Sequence, residues 1–341
     1  PAHNSQDIGV DYADQIGGEH FREFLLVGEP TCHACPVACK KEVEVTFRGL
    51  TVRTESVEYE TAWAFGANSG NKDANAIGFM VYQCNDFGVD TIEMGNVLAT
   101  YMEICQHGWN DDVTLEWGDA ELMTQLVELT VRREGIGDKL AEGVLGLAKA
   151  FGHPEVAMAV RGQSIPAYDP RGQKGMGIGY ATSNRGGCHL RAYATASELG
   201  VIEPVTDPLA YEGKGELIGI FQNIHAFSDS LDLCKFSAFA QSPNEYAAMY
   251  AAMTGREFTA EDVLAAGARI YTLERYYNQL AGDTPANDTI PTRFLEEPSK
   301  AEASLGHVCE LEPMLEEYYA FRGWENGIVS DDNLRAVGIL D

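Results

Sequence analysis

Long apolar runs are missing from this chain of 341 residues, and none approaches the ~18 continuous apolar residues of a membrane-spanning helix. Positive charge is scarce as well: 24 Lys and Arg face 52 Asp and Glu, leaving a net charge of -28. That balance repels nucleic acid and anionic membrane surfaces, so neither is an expected partner. The opening residues PAHNSQDIGVDYADQ carry neither the basic nor the apolar region of a secretory signal, and a soluble, cytoplasmic protein is expected. Opening on Pro rather than Met, the chain reads as processed or as part of a longer one. No Gly-Lys-Ser/Thr closes a phosphate loop and no strand leads into G-x-G-x-x-G, which argues against both nucleotide fingerprints. Internal repeats and low-complexity segments are absent, and period-two alternation is confined to one stretch.

Thiol, by contrast, is concentrated. Of eight cysteines, Cys32, Cys35 and Cys39 fall within CHACPVAC, while Cys84, Cys105, Cys188, Cys234 and Cys309 are scattered. In a chain of this size and character, clustered thiols fit metal ligation better than disulfides. The spacing C-x2-C-x3-C with one distant cysteine suits a 4Fe-4S cube, since one loop can wrap three corners while a second segment closes the fourth. Structural zinc, which more often takes two short pairs, and incidental cysteines remain alternatives on spacing alone. Pro36 and the small Ala34 and Ala38 favour a tight loop against a bulky inorganic core.

The remaining pattern is helical, and a chain this long divides into two domains. Ile77, Met80, Val81 and Cys84 share one face of a helix running from Asp73 to a stop at Gly88. Leu98, Tyr101, Met102 and Cys105 do so in the next, with Thr91 as its N-cap and Gly108 at its end. Further helices are expected over 120–133, 138–151, 215–226, 243–253, 260–280 and 313–322, the 260–280 helix opening on a Thr259/Asp262 capping box. Alternation from Lys41 to Arg53 predicts one hairpin beside the cysteine loop. The glycine- and proline-rich stretch from Gly162 to Gly179 reads as the domain junction.

Chemistry gathers in AYDPRGQKGMGIGYATSNRGGCHLRA, where glycines permit close backbone approach and arginines in such turns grip phosphate or carboxylate. A lone His189 stands there between Cys188 and Arg191; lone histidines are more often structural than catalytic. Two further stretches, NDFGVD (Asn85 to Asp90) and DSLDLC (Asp229 to Cys234), are alike, each ending a helix with a polar start and a charged or ligating end. They fit either a hydrogen-bond-rich ligand or two ordinary helix-end turns.

Together, the cysteine spacing, these two turns, EYE at 58–60 and YDPRG…GYAT.NRG.CH resemble the tungsten-dependent aldehyde ferredoxin oxidoreductases. The likeness runs the length of the chain, to RFLEEP and RGW near its end. It implies a mainly α fold of two helical domains, matching that family's C-terminal domains, with a small hairpin near the cysteine loop. Residues 1–160 would carry that loop and a first pterin turn; residues 161–341 would carry the Gly-rich active-site loop, a second pterin turn and the fourth cluster cysteine. The family's N-terminal β-rich, pterin-binding domain is not represented, so a fragment or one subunit of a split enzyme is expected. By resemblance Cys32, Cys35, Cys39 and Cys234 ligate a 4Fe-4S cluster. A tungsten or molybdenum bis-pterin is held by Asn85, Asp90 and Thr91 at one turn, by Asp229 and Leu233 at the other, and by Arg191. Asn85 stands where the family has Asp, Val89 where it has Leu, and Asp232 where it has Gly.

The implied reaction is oxidation of an aldehyde to the carboxylic acid, with electrons passed to ferredoxin. Glu60 would take a proton from water, and His189 would donate a hydrogen bond to the aldehyde oxygen. Alternatives are a relative working on another substrate, such as an aromatic acyl thioester, and an iron-sulfur electron-transfer or assembly module without a pterin site. A homo-oligomer is compatible with either. Lys40 and Lys41 follow Cys39, and Lys235 follows Cys234, so these lysines are expected to flank the cluster and either dock ferredoxin or balance an anionic cluster.

Overall fold

The structure, a computed structural model, describes residues 1–55, 57–110 and 113–341. It is mainly helical, with two small antiparallel sheets. Two compact units divide between Ala167 and Tyr168, inside the Gly162 to Gly179 stretch. Among the described residues no helix is long and apolar enough to cross a membrane.

In the first unit the expected hairpin forms from Glu42–Phe47 and Leu50–Glu55. Its two-residue turn, Arg48 and Gly49, has φ of 52° and 76°, the hand that matches strand twist. A third strand, Leu26–Gly28, pairs with Glu42–Phe47, so the cysteine loop connects two neighbouring strands. A pair of two-residue strands, Ala159–Val160 and Gln163–Ser164, forms the second sheet; segments this short carry no readable alternation.

Helix Ala74–Phe87 starts where the Asp73 side chain accepts from the Asn75 and Ala76 amides and stops at left-handed Gly88. Its apolar face is buried as expected, and Gly78 lets it lie on the sheet: a Cβ there would meet Val45 Cγ1 at 2.6 Å. Helix Thr91–Gln106 is capped by Asp90, not by Thr91. The Asp90 carboxylate accepts from Glu93 N at 2.8 Å, whereas the Thr91 hydroxyl lies 2.8 Å from that of Thr61. Helix Tyr59–Phe65, which the sequence pattern missed, packs against Thr91–Gln106 at Gly95, where a Cβ would come within 2.6 Å of Ala64 Cβ. The helix expected over 138–151 is broken into Gly137–Leu140 and Gly143–Ala150, because Gly143 takes a φ of 73°.

Helix Lys214–Ser230 is the centre of the second unit, flanked by Ala260–Leu280 and Leu311–Arg322. Gly267 permits the first contact: a Cβ would stand 1.9 Å from the Asn223 carbonyl oxygen. The Thr259/Asp262 capping box forms, and Ser242/Glu245 makes another at Pro243–Thr254. The Gly-rich stretch is not all turn. Lys174–Ala181 is a helix buried throughout, and its glycines fit beneath Glu198, Cys309 and Ala192.

Candidate cofactor and active-site segments

The cysteine loop is bent by two non-glycine residues with left-handed backbone, Ala34 and Ala38, at φ 55° and 50°. Such residues cost about 1 kcal/mol each, and each sits just before or between cysteines. Cys35 N donates to Cys32 O at 3.1 Å, a tight turn opening the loop. Cys32 is exposed, Cys35 and Cys39 half-buried, and none of the eight cysteines is in a disulfide. Three accessible soft thiols on one short turn fit an iron-sulfur group by donor chemistry. Among the described residues no three His, Cys, Asp or Glu side chains form a ready-made ion cage, so the thiols would close around such a group. Lys41 braces the loop, donating to Ala38 O at 3.0 Å and to Glu29 Oε1 at 2.5 Å. Lys40 pairs with Glu55 at 3.5 Å and Lys235 with Asp229. Each of the three lysines is therefore matched by a carboxylate within its own unit.

Glu60 is buried in the first turn of Tyr59–Phe65, its Oε2 accepting from Ala167 N at 2.8 Å. Thr61 next to it meets Thr91, so this helix start is tied to the first turn. An apolar hollow of about 540 Å³, lined by Phe21, Val43, Val57, Tyr59 and Trp63 among others, lies beside the same helix.

The two similar stretches prove to have one backbone design. Gly88 and Asp232 are both left-handed, at φ 71° and 57°. The next residue in each bonds five residues back: Val89 N to Cys84 O at 2.9 Å, Leu233 N to Ser228 O at 3.2 Å. Both are left-handed helix C-caps with Asn85 and Asp229 at the same position of the last turn. The need for positive φ explains glycine as the ordinary choice, and Asp is among the few other residues that tolerate it. Asp232 therefore keeps the turn intact. Asn85 donates to Thr54 Oγ1 at 2.9 Å and to Glu55 O at 3.2 Å, which an ionised Asp could not do, so its amide donor is committed to the hairpin. Asp229 instead binds two cations, accepting from Arg191 Nη1 at 2.9 Å and from Lys235.

His189 opens the short turn His189–Arg191, half-buried beside Tyr168 and Tyr193 at ring distances of 5.7 and 6.0 Å. The hydroxyls of those tyrosines lie 3.1 Å apart. Burial, aided by the charge of Arg185, pushes the imidazole down to about 4, so it is neutral at neutral pH. Arg185 itself donates to Cys188 Sγ at 2.8 Å. Arg171 is not a ligand grip: its guanidinium forks onto Asp169 at 2.9 and 2.6 Å, buried against Phe294. Sequence reasoning passed over His225, which is buried behind these segments; its spacing of four from Asp229 on one helix was the available signal.

The first unit thus carries three soft thiols on one turn, and the second an exposed Cys234 and a neutral histidine among tyrosines. The chain belongs to the aldehyde ferredoxin oxidoreductase family: the family model for domains 2 and 3 matches residues 1–339. It is 40% identical to the tungsten-containing aldehyde ferredoxin oxidoreductase of Pyrococcus furiosus and 38% identical to that of Thermococcus kodakarensis, over 100% of this chain and 57% of each relative. The aliphatic sulfonate oxidoreductase WOR-like subunit of Pyrococcus furiosus is 27% identical over 90% of this chain and 50% of its own length. The chain thus spans little more than half of the curated relatives it matches. Among solved structures, the active-site complex BamBC of benzoyl coenzyme A reductase with 1,5-dienoyl-CoA shares the fold, with a TM-score of 0.72, 18% identity, and coverage of 99% of this chain and 57% of that one.

Proposed function

We propose that this chain is the helical part of an oxidoreductase that converts an aldehyde and water to a carboxylic acid, releasing two electrons and two protons, with ferredoxin as electron acceptor. Cys32, Cys35, Cys39 and Cys234 would hold a 4Fe-4S cluster, and Asp90, Thr91, Arg191, Asp229, Leu233 and the carbonyl of the Asn85 side chain would hold two pterins. Bound there, the tungsten bis-pterin and the cluster would supply a two-electron acceptor and a one-electron relay.

The chain's own groups do the proton chemistry. Glu60, oriented by the Ala167 amide, takes a proton as water adds to the carbonyl carbon. His189, neutral and screened by Tyr168 and Tyr193, donates its ring N–H to the carbonyl oxygen as negative charge grows there. Asp229 carries the reading: one carboxylate joins the His189 turn, through Arg191, to the Cys234 segment, through Lys235. The test is metal analysis and aldehyde turnover of the full-length protein. Tungsten or molybdenum together with iron is expected, and Glu60→Gln should lower kcat by about 100-fold or more at unchanged metal content. Iron alone would point to an electron-transfer module, and zinc alone would end both readings.

A further inference from the structure

The second unit holds a hollow of about 430 Å³, within the size range of small-molecule sites. Helix Lys214–Ser230 lines it with Phe221 and Ile224; the chain before that helix adds Val201 and Ile202, and the chain after it adds Phe239 and Pro243. Val201 and Phe239 are 62% and 41% exposed, so apolar surface stands open to a ligand there. The polar part of the lining suits no anion. Glu203 and Glu245 are carboxylates, and no Lys or Arg is among the described lining residues. Hydrogen bonds from the Ser242 side chain and amide hold the Glu245 carboxyl low, so it is charged. His225, also in the lining, is kept neutral by burial, its imidazole pushed down to about 3.

Aromatic rings join this hollow to His189. The Tyr193 ring lies 6.0 Å from the imidazole, and Phe239 meets Tyr193 edge-on at 5.9 Å. Tyr193 N donates to His189 O at 3.0 Å, and Tyr193 has a φ of 46°, a left-handed backbone that is an outlier for so bulky a side chain. The strained turn thereby sets one ring against both the imidazole and a wall of the hollow.

We propose that the hollow is a substrate subsite: it takes the apolar tail of an uncharged aldehyde, with Tyr193 and Phe239 as the path from His189, and turns away tails that end in a carboxylate. The assignment rests on the oxidoreductase reading above, which puts the carbonyl at His189. A tail laid on Phe221, Ile224 and Phe239 is favoured by the apolar area it removes from water. An anionic tail would lose hydration beside two carboxylates, with no cation in the lining to receive it.

In tungsten-loaded full-length enzyme, kcat/KM for hexanal should exceed that for propanal by about 50-fold, roughly fourfold per buried methylene. Adipic semialdehyde, which has hexanal's length and a terminal carboxylate, should fall about tenfold or more below hexanal. These comparisons need no variant. Ala240→Trp, at an exposed lining position, fills the hollow and should lower kcat/KM for hexanal about tenfold or more, with propanal within about twofold. Glu203→Gln, which keeps the acceptor for Val205 N, should raise kcat/KM for adipic semialdehyde about threefold and leave hexanal unchanged. Calorimetry with hexanol, which has the tail without the reacting group, reads the hollow without turnover: full-length protein should bind it, and Ala240→Trp should bind it about fivefold or more weakly. Equal kcat/KM for hexanal and propanal, a loss in Ala240→Trp shared by both, or hexanol binding that Ala240→Trp leaves intact would overturn the subsite while the oxidoreductase reading stands. Oxidation of neither aldehyde by protein that holds tungsten and iron would bring down that reading, and the substrate role of the hollow with it.

Discussion

The turn at Asn85–Asp90 and the turn at Asp229–Cys234 share a left-handed residue and a hydrogen bond five residues back, but only the second binds cations. In the first, three polar groups serve local structure: Asn85 pins the helix end to the hairpin, Asp90 caps the next helix, and Thr91 meets Thr61. In the second, only a short 3-10 helix, Lys235–Phe239, follows; Asp229 binds Arg191 and Lys235, and Cys234 stands exposed, capping nothing, in the place that Asp90 fills in the first. One chain design thus yields one turn committed to local structure and one that is bound to two cations and bears a thiol. A left-handed cap fixes where the backbone points, and its neighbours decide what chemistry is presented.

The largest effect separating the two turns is expected from Asp229→Asn. It removes the carboxylate from between two largely buried cations and should destabilise the second unit by about 2 to 3 kcal/mol. Denaturant unfolding would show it, and the loss should shrink in high salt, which screens whatever repulsion remains between Arg191 and Lys235. A loss independent of salt would mean that ion pairing does not distinguish the second turn from the first.

Acid should separate the turns next. His189 and His225 are both depressed, to about 4 and about 3 from 6.5, so the unfolded chain binds more protons than the folded one below 6.5. Their contribution to stability is fully present above pH 6.5 and is lost as pH falls through about 4 and then 3. Each adds at most about 1.4 kcal/mol per pH unit to the slope. Urea midpoints followed from pH 7 to 4 should fall for the wild type, and less steeply for His225→Gln; equal slopes would place the acid sensitivity elsewhere.

The smallest effect is expected at the first turn. Asp90→Ala removes one N-cap and should cost about 1 kcal/mol, with little dependence on salt. A loss as large as that of Asp229→Asn would break the contrast between the locally committed turn and the cation-bound one.

Much of this was legible beforehand. The helices over 74–87, 120–132 and 260–280 announce themselves through apolar faces and caps, and the hairpin through alternation, because those signals act over a few residues. The likeness of the two turns was visible in their letters, although the shared left-handed cap was not. Asp90 and Thr91 are both competent caps; packing gave the Thr91 hydroxyl to Thr61 and left the cap to Asp90. Lys174–Ala181 was hidden because glycines at 175, 177 and 179 weaken a helix by themselves, and only the side chains closing over them make room for no larger residue.

The sequence alone determined the elements that satisfy their own hydrogen bonds and present one apolar face, together with the thiol spacing that admits a cluster. Tertiary structure decided where the polar groups are used: Arg171 on Asp169 rather than on a ligand, Asn85 on the hairpin, and Asp229 on Arg191 and Lys235. The physical reason is that a buried polar group takes the partner that folding brings within about 3 Å, and that partner lies tens of residues away in the chain or on a backbone atom that no side-chain pattern records.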